Sequence, residues 1–139
     1  MFKYLRNINN SNHPSELVTF PFEHNSEGTL DIKPGMIFTL SAGKITMVFV
    51  TDSPKFLVVK VSEEDSTATC IRLCPGMVLE ADIDTSLALD RVFDGLYSGI
   101  SIPENSGGTH INGWSDVENI FQVIDSSNKN KRKATVLVI

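Results

Sequence analysis

The chain has 139 residues, a length that suits one domain with its own apolar core. Its 12 Lys and Arg residues against 17 Asp and Glu residues give a formal net charge of −5. This acidic balance disfavours binding to nucleic acid, and no apolar run approaches the ~20 residues of a membrane-spanning helix. Residues 1–10 lack the apolar segment of a secretory signal, so we expect a protein made in the cytoplasm.

Residues 1–28 are predicted to form an extended N-terminal arm and an edge strand. Residues 5–15 are polar and rich in Asn, which is typical of a segment that does not fold alone. Residues 16–22 predict a short strand, and Pro21 favours the edge of a sheet because it has no amide hydrogen to donate. If the arm docks on a partner, Tyr4 and Arg6 are its candidate interface residues.

Residues 29–139 are predicted to form a single, mainly β domain, either a small β-barrel or a β-sandwich. Short runs rich in Val, Ile, Thr and Phe alternate with turn residues, which is the pattern of such folds. At most one short helix is expected, over residues 85–93, where Asp84 can cap the first turn and Gly95 can end the last. The predicted strands cover residues 36–40, 44–50, 55–61, 67–73, 77–83, 119–124 and 133–139.

Two segments of the chain resemble each other at an interval of 41 residues. Residues 32–38 and 73–79 share the sequence Pro-Gly-Met, which in both is followed by two apolar residues. In each, proline fixes φ and glycine supplies a positive φ, so both segments predict a turn that leads into a strand. Either a duplicated β unit or two similar turns in one barrel explains the likeness.

The two cysteines, Cys70 and Cys74, are predicted to be free thiols. On one strand their Cα atoms would lie ~13 Å apart, whereas a disulfide requires them within roughly 7 Å. A zinc site would need further ligands, and the three histidines are scattered along the sequence, so no metal or cofactor is expected. A small hydrolase with Cys70 as nucleophile and His110 as base is the least favoured of the functions left open.

The carboxylates of Glu80, Asp82 and Asp84 alternate with apolar residues and are predicted to form one row on the exposed face of a strand. Their spacing does not match a calcium-binding loop, and no phosphate-binding loop or nucleophile elbow occurs in the sequence. We therefore predict no catalytic residue and no small-molecule substrate. The long segment 95–116 is rich in Gly, Ser and Asn, and with Trp114 it favours a carbohydrate- or receptor-binding module as the alternative function.

Residues 129–133 contain four of the basic residues and are predicted to lie in a loop between the last two strands. Without them the chain would have eight basic residues against 17 acidic ones. An acidic body with one basic loop suits docking onto an acidic protein or onto a second copy of the chain. The candidate interface residues of this loop and of segment 95–116 are Lys129, Lys131, Arg132, Lys133 and Trp114.

The order of these features resembles that of the small β-rich head-decoration, or capsid cement, proteins of tailed bacteriophages. The matching segments are Pro34-Gly35-Met36, Pro75-Gly76-Met77, and the ending in which strand 120–124 joins strand 134–139 through a polar loop. The resemblance covers residues 30–139; the arm (1–28) and the loop 95–116 have no counterpart in it.

The resemblance implies a non-enzymatic structural protein on the outer capsid surface of a virion. It also implies a homotrimer, with the major capsid protein as partner, that stabilises a shell under internal pressure. The strands at 16–22 and 135–139 are then candidates to pair as edges between subunits.

Overall fold

The structure is a computed structural model, and it describes residues 1–9, 17–22, 32–41, 43–46, 54–83, 100–101, 113–114, 121–125, 127 and 129–139. Its strands are β1 (Phe2–Asn7), β2 (Leu17–Pro21), β3 (Ile37–Ser41), β4 (Lys44–Thr46), β5 (Phe56–Ser62), β6 (Thr67–Arg72), β7 (Met77–Asp82), β8 (Ile100–Ser101), β9 (Gly113–Trp114), β10 (Phe121–Asp125) and β11 (Lys133–Val138). A 3-10 turn covers Lys129–Lys131, and within these residues no α-helix occurs.

The strands form two antiparallel sheets. The first sheet has the order β1-β7-β11-β10 and the second has the order β2-β6-β5-β3-β4, while β8 and β9 form a separate short pair. The second sheet curls into a half-barrel, so that its two edge strands, β2 and β4, approach each other. The predicted fold class, a mainly β protein of the barrel or sandwich type, is therefore confirmed.

Both faces of the second sheet are packed. One face places Ile37, Leu57 and Ile71 against the inner face of the first sheet, where Leu79 and Val136 are fully buried. The opposite face lines the inside of the curl. Its buried side chains include Phe38, Phe56, Val58 and Cys70, and the rings of Phe20 and Phe56 meet edge to face with centroids 4.9 Å apart.

The first residues of the chain differ from the predicted arm. Residues 2–7 form β1, which pairs along β7 with Phe2 opposite Ala81, and Phe2 is 3% exposed. Its ring stacks on Phe121 with the centroids 5.6 Å apart. The polar composition of residues 5–15 hides this strand, because only Phe2 and Tyr4, separated by Lys3, show the alternation of an inward-facing strand before the polar run begins.

The strand predicted at 16–22 is confirmed as β2, at the edge of the second sheet and with Pro21 as its last residue. The last strand is not an edge, because β11 lies between β7 and β10 in the first sheet. The pairing of this strand between subunits was therefore a wrong expectation. The helix predicted at 85–93 lies outside the described residues, as does segment 95–116 except for β8 and β9.

The two Pro-Gly segments form turns of the same geometry. Gly35 and Gly76 have φ angles of 94° and 93°, and the amides of Met36 and Met77 donate to the carbonyls of Lys33 and Cys74. The thioether sulfur of each methionine accepts a hydrogen bond from the first amide of its turn, at 3.1 Å for Met36 and 3.4 Å for Met77. The predicted turns are thus confirmed in position and conformation.

Each turn also holds one end of β1. The carbonyl of Gly35 accepts a hydrogen bond from the Phe2 amide at 2.8 Å, and that of Gly76 accepts one from the Ile8 amide at 2.7 Å. The amide of Gly35 donates to the carbonyl of Val58 in β5, at 2.8 Å. Because Gly35 contacts both β1 and β5, its turn ties the first sheet to the second.

Candidate docking surface at one end of the first sheet

Four segments of the chain meet at the end of the first sheet where β1 begins. The carbonyl of Met1 accepts a hydrogen bond from the Asp82 amide, and the carbonyl of Arg132 accepts one from the Ile83 amide. The turn at Gly35 adjoins them through its bond to Phe2. We call this region the basic end and define it by five cationic side chains, those of Lys3, Lys33, Lys131, Arg132 and Lys133.

An ion-pair cluster lies at the centre of the basic end. The Lys133 ammonium lies 2.7 Å from a carboxylate oxygen of Asp82 and 3.6 Å from one of Glu80, and the Met1 ammonium lies 2.5 Å from the other oxygen of Asp82. Glu80 and Asp82 share one face of β7, as the predicted acidic row requires. These carboxylates neutralise Lys133, which is the first residue of β11 and not part of the turn.

The cluster shifts the pKa values of Asp82 and Lys133 in opposite directions. Partial burial alone would raise the pKa of Asp82, but hydrogen bonds from the Lys133 and Met1 ammonium groups outweigh it and hold that pKa below its usual value. The hydrogen bond from Lys133 to Asp82 raises the pKa of Lys133. Ionised Asp82 therefore stabilises the folded protein at pH values above the usual pKa of an aspartate. This stabilisation is lost as the pH falls through the lowered pKa that Asp82 has in the folded protein.

We expect Asp82→Asn to lower the free energy of unfolding by about 0.5–1 kcal/mol at pH 7, the range of a half-exposed ion pair in water. The difference from the wild type should shrink as the pH falls from the usual pKa of an aspartate through the lowered pKa of Asp82, where its carboxylate in the folded wild type becomes protonated. Urea titrations at pH 7 and pH 3 measure it. Glu64→Gln removes an exposed carboxylate from the second sheet and is the control; an equal loss in both variants would contradict the role of the cluster.

Lys131 and Lys3 are exposed, and no described residue forms an ion pair with either. Lys33 is also exposed, in the turn that precedes β3. Arg132 is half-buried and has a left-handed φ of 54°, so the chain reverses there between the 3-10 turn and β11. Among the described residues these cations outnumber the two carboxylates of the cluster, although the chain as a whole is acidic.

The predicted basic loop lies at this end and contains four of the predicted interface residues, namely Lys129, Lys131, Arg132 and Lys133. The side chain of Lys129 is not among the described ones. Lys3 and Lys33 were not predicted to belong to the surface. No local pattern singles them out, because only the pairing of β1 with β7 and the bond from Phe2 to Gly35 bring them here.

Tyr4 and Arg6, the two interface residues predicted in the arm, lie further along β1. Tyr4 packs against the core between the sheets; burial raises its pKa, and its hydroxyl lies 3.2 Å from the side-chain oxygen of Asn7. Arg6 lies opposite Val78 and donates to the Asn7 carbonyl at 3.4 Å. Trp114 belongs to β9, opposite Ile100, and its side chain is not among the described ones.

The cysteines are free thiols, as predicted. Cys70 is 0% exposed inside the curled sheet, and burial raises the pKa of its thiol to about 12. Because the thiolate is the nucleophilic form, these properties argue against Cys70 as a catalytic nucleophile. His110, the base of that hypothesis, lies outside the described residues.

A groove of about 300 Å³ lies at the other end of β1, between Ile8 and the turn at Gly76, and the half-buried Cys74 contributes to its wall. No charged residue lines it in the part of the chain that the structure describes. Among the described residues, no three His, Cys, Asp or Glu side chains cluster as metal ligands, and no helix has the length and apolar character to cross a membrane.

No protein-family model, curated protein or solved structure matches the chain.

Proposed function

We propose that the chain is a non-enzymatic structural protein of a tailed-phage virion that decorates and stabilises the outer surface of the capsid. In this proposal it is made in the host cytoplasm, forms a homotrimer and binds the major capsid protein. The support from the sequence is the order of its Pro-Gly turns and closing strands, which resembles that of capsid cement proteins.

The observation that carries the proposal is the basic end. Its cations come from β1, from the turn at Gly35 and from the β10–β11 connection. Backbone hydrogen bonds and the ion pairs of Asp82 fix the relative positions of these segments. A positive surface on an acidic protein favours docking onto an acidic protein face, because complementary potentials orient the encounter and the rest of the chain repels polyanions. The buried thiol of Cys70 and the neutral groove at Ile8 offer no alternative reactive site among the described residues.

The test is binding of the purified protein to capsids assembled from the major capsid protein of the same genome. We expect stoichiometric co-sedimentation with mature capsids and a higher melting temperature of the decorated shells. Lys131→Glu should weaken the binding, whereas Arg72→Glu, which makes the same charge change on an exposed residue of the second sheet, should not. No binding to mature capsids would overturn the proposal.

The second candidate is a carbohydrate- or receptor-binding module, and one observation favours it. The pairing of Ile100 with Trp114 and of Ser101 with Gly113 joins the two ends of the segment between β8 and β9, as in many binding loops. This candidate predicts that Trp114→Ala abolishes glycan binding on an array. Retention of capsid binding by the same variant separates the two proposals.

A further inference from the structure

The second sheet carries a cluster of exposed negative side chains. The turn between β5 and β6 exposes the side chains of Glu63, Glu64 and Asp65, and we call it the acidic turn. It is an ordered structure: the Ser62 hydroxyl donates to the Asp65 carboxylate at 3.1 Å, and the Ser66 amide donates to the Glu63 carbonyl at 3.3 Å. No described cation forms an ion pair with these three carboxylates.

The acidic turn and the basic end do not neutralise each other within one copy. The basic end contacts β5 at Val58, through the amide of Gly35. The acidic turn begins after Ser62, four residues further along the strand and ~13 Å away at the rise of an extended chain. No ion pair joins the two surfaces in the part of the chain that the structure describes. Each copy therefore presents one positive and one negative surface to solvent.

We infer that the basic end of one copy docks onto the acidic turn of a second copy. The two surfaces differ, so the contact is heterologous, and each copy can bind one neighbour through each surface. Opposite charges select this arrangement, because basic end against basic end and acidic turn against acidic turn both repel.

An apolar contribution is available at the basic end. Met1 and Val59, which follows Val58 in β5, are each 38% exposed. Exposed ion pairs contribute little individually, so the contact depends on several of them acting together and weakens as salt screens them. The inference rests on the same basic end as the proposed docking on the capsid, but it concerns copies of this chain and is tested without capsids, so the two can fail separately.

The experiment measures the mass of the purified chain in solution by sedimentation velocity, at about 50 mM and about 500 mM salt. We expect assembly at the lower salt concentration and monomers at the higher one, because the Debye length shrinks severalfold over this range. One double variant, Lys3→Glu with Lys131→Glu, reverses two charges of the basic end. A second double variant, Glu63→Lys with Glu64→Lys, reverses two charges of the acidic turn. Each of these double variants should be monomeric at the lower salt concentration.

Mixing the two monomeric variants gives the sharpest result. The first retains an acidic turn and the second retains a basic end, so the mixture should associate although each variant alone is monomeric. Lys60→Glu with Arg72→Glu, a matched charge reversal on the second sheet, should still assemble, and circular dichroism verifies that every variant is folded. A wild type that is monomeric at the lower salt concentration, or a mixture that stays monomeric, would overturn the inference.

Discussion

Replacing Phe2 by alanine is expected to lower the free energy of unfolding by ~3–5 kcal/mol, the range for removing a buried aromatic ring. The side chain is 3% exposed and stacks on Phe121 within the core between the two sheets. Truncation leaves a cavity between β1 and β10 and removes the apolar contact that keeps β1 on the sheet. Urea denaturation followed by circular dichroism measures the loss.

The control is Ile8→Ala in the same segment, because Ile8 is 62% exposed and its truncation removes little buried area. We expect Ile8→Ala to change stability by about 0.5 kcal/mol or less. Equal, small effects of the two substitutions would show that residues 2–7 behave as an arm detached from the core. A large effect of Phe2→Ala alone would establish β1 as part of the folded domain.

The strands were predictable from the sequence wherever one face is buried and the other is not. In β11 the burial of Ala134, Val136 and Val138 follows the alternation of the sequence, and the two Pro-Gly turns mark the beginnings of β3 and β7. For residues 2–7 the sequence predicts an arm, because the polar run that follows them dominates the composition of the segment. The pairing of this strand with β7 depends on contacts across the whole domain, which no local pattern reports.

The candidate surface was only partly predictable for the same reason. The basic run at 129–133 is visible in the sequence, but its neutralisation at Lys133 is not, because Asp82 lies 51 residues away in the chain. Lys3 and Lys33 reach the same end through the hydrogen bond between Phe2 and Gly35. A run of like charges therefore indicated where a surface begins, and the pairing of strands determined which other residues complete it.

The substitution Gly35→Ala is expected to destabilise the protein by about 2–4 kcal/mol, which combines the strain of a left-handed conformation with a steric clash. Gly35 has a φ of +94°, and an added Cβ would lie 2.9 Å from the Cβ of Met1 and 3.0 Å from the carbonyl oxygen of Phe2. Neither atom is the end of a flexible side chain, so relieving the clash requires the start of β1 to move. That movement would disturb the hydrogen bond from Phe2 and the ion pair of Met1 with Asp82.

Gly76→Ala is the matched control, because the two turns share their geometry and differ in what surrounds them. Gly76 has a φ of +93°, but among the described residues its added Cβ would meet only a methyl group of Ile8, at an ordinary contact distance of 3.6 Å. This variant therefore carries the backbone strain alone, which we expect to cost about 1–2 kcal/mol. Thermal and urea unfolding of both variants give the difference between them, which measures how tightly β1 is held against the turn at Gly35. Equal losses in the two variants would mean that the first residues of β1 move away from Gly35 without cost, and that the basic end is not held together by this turn.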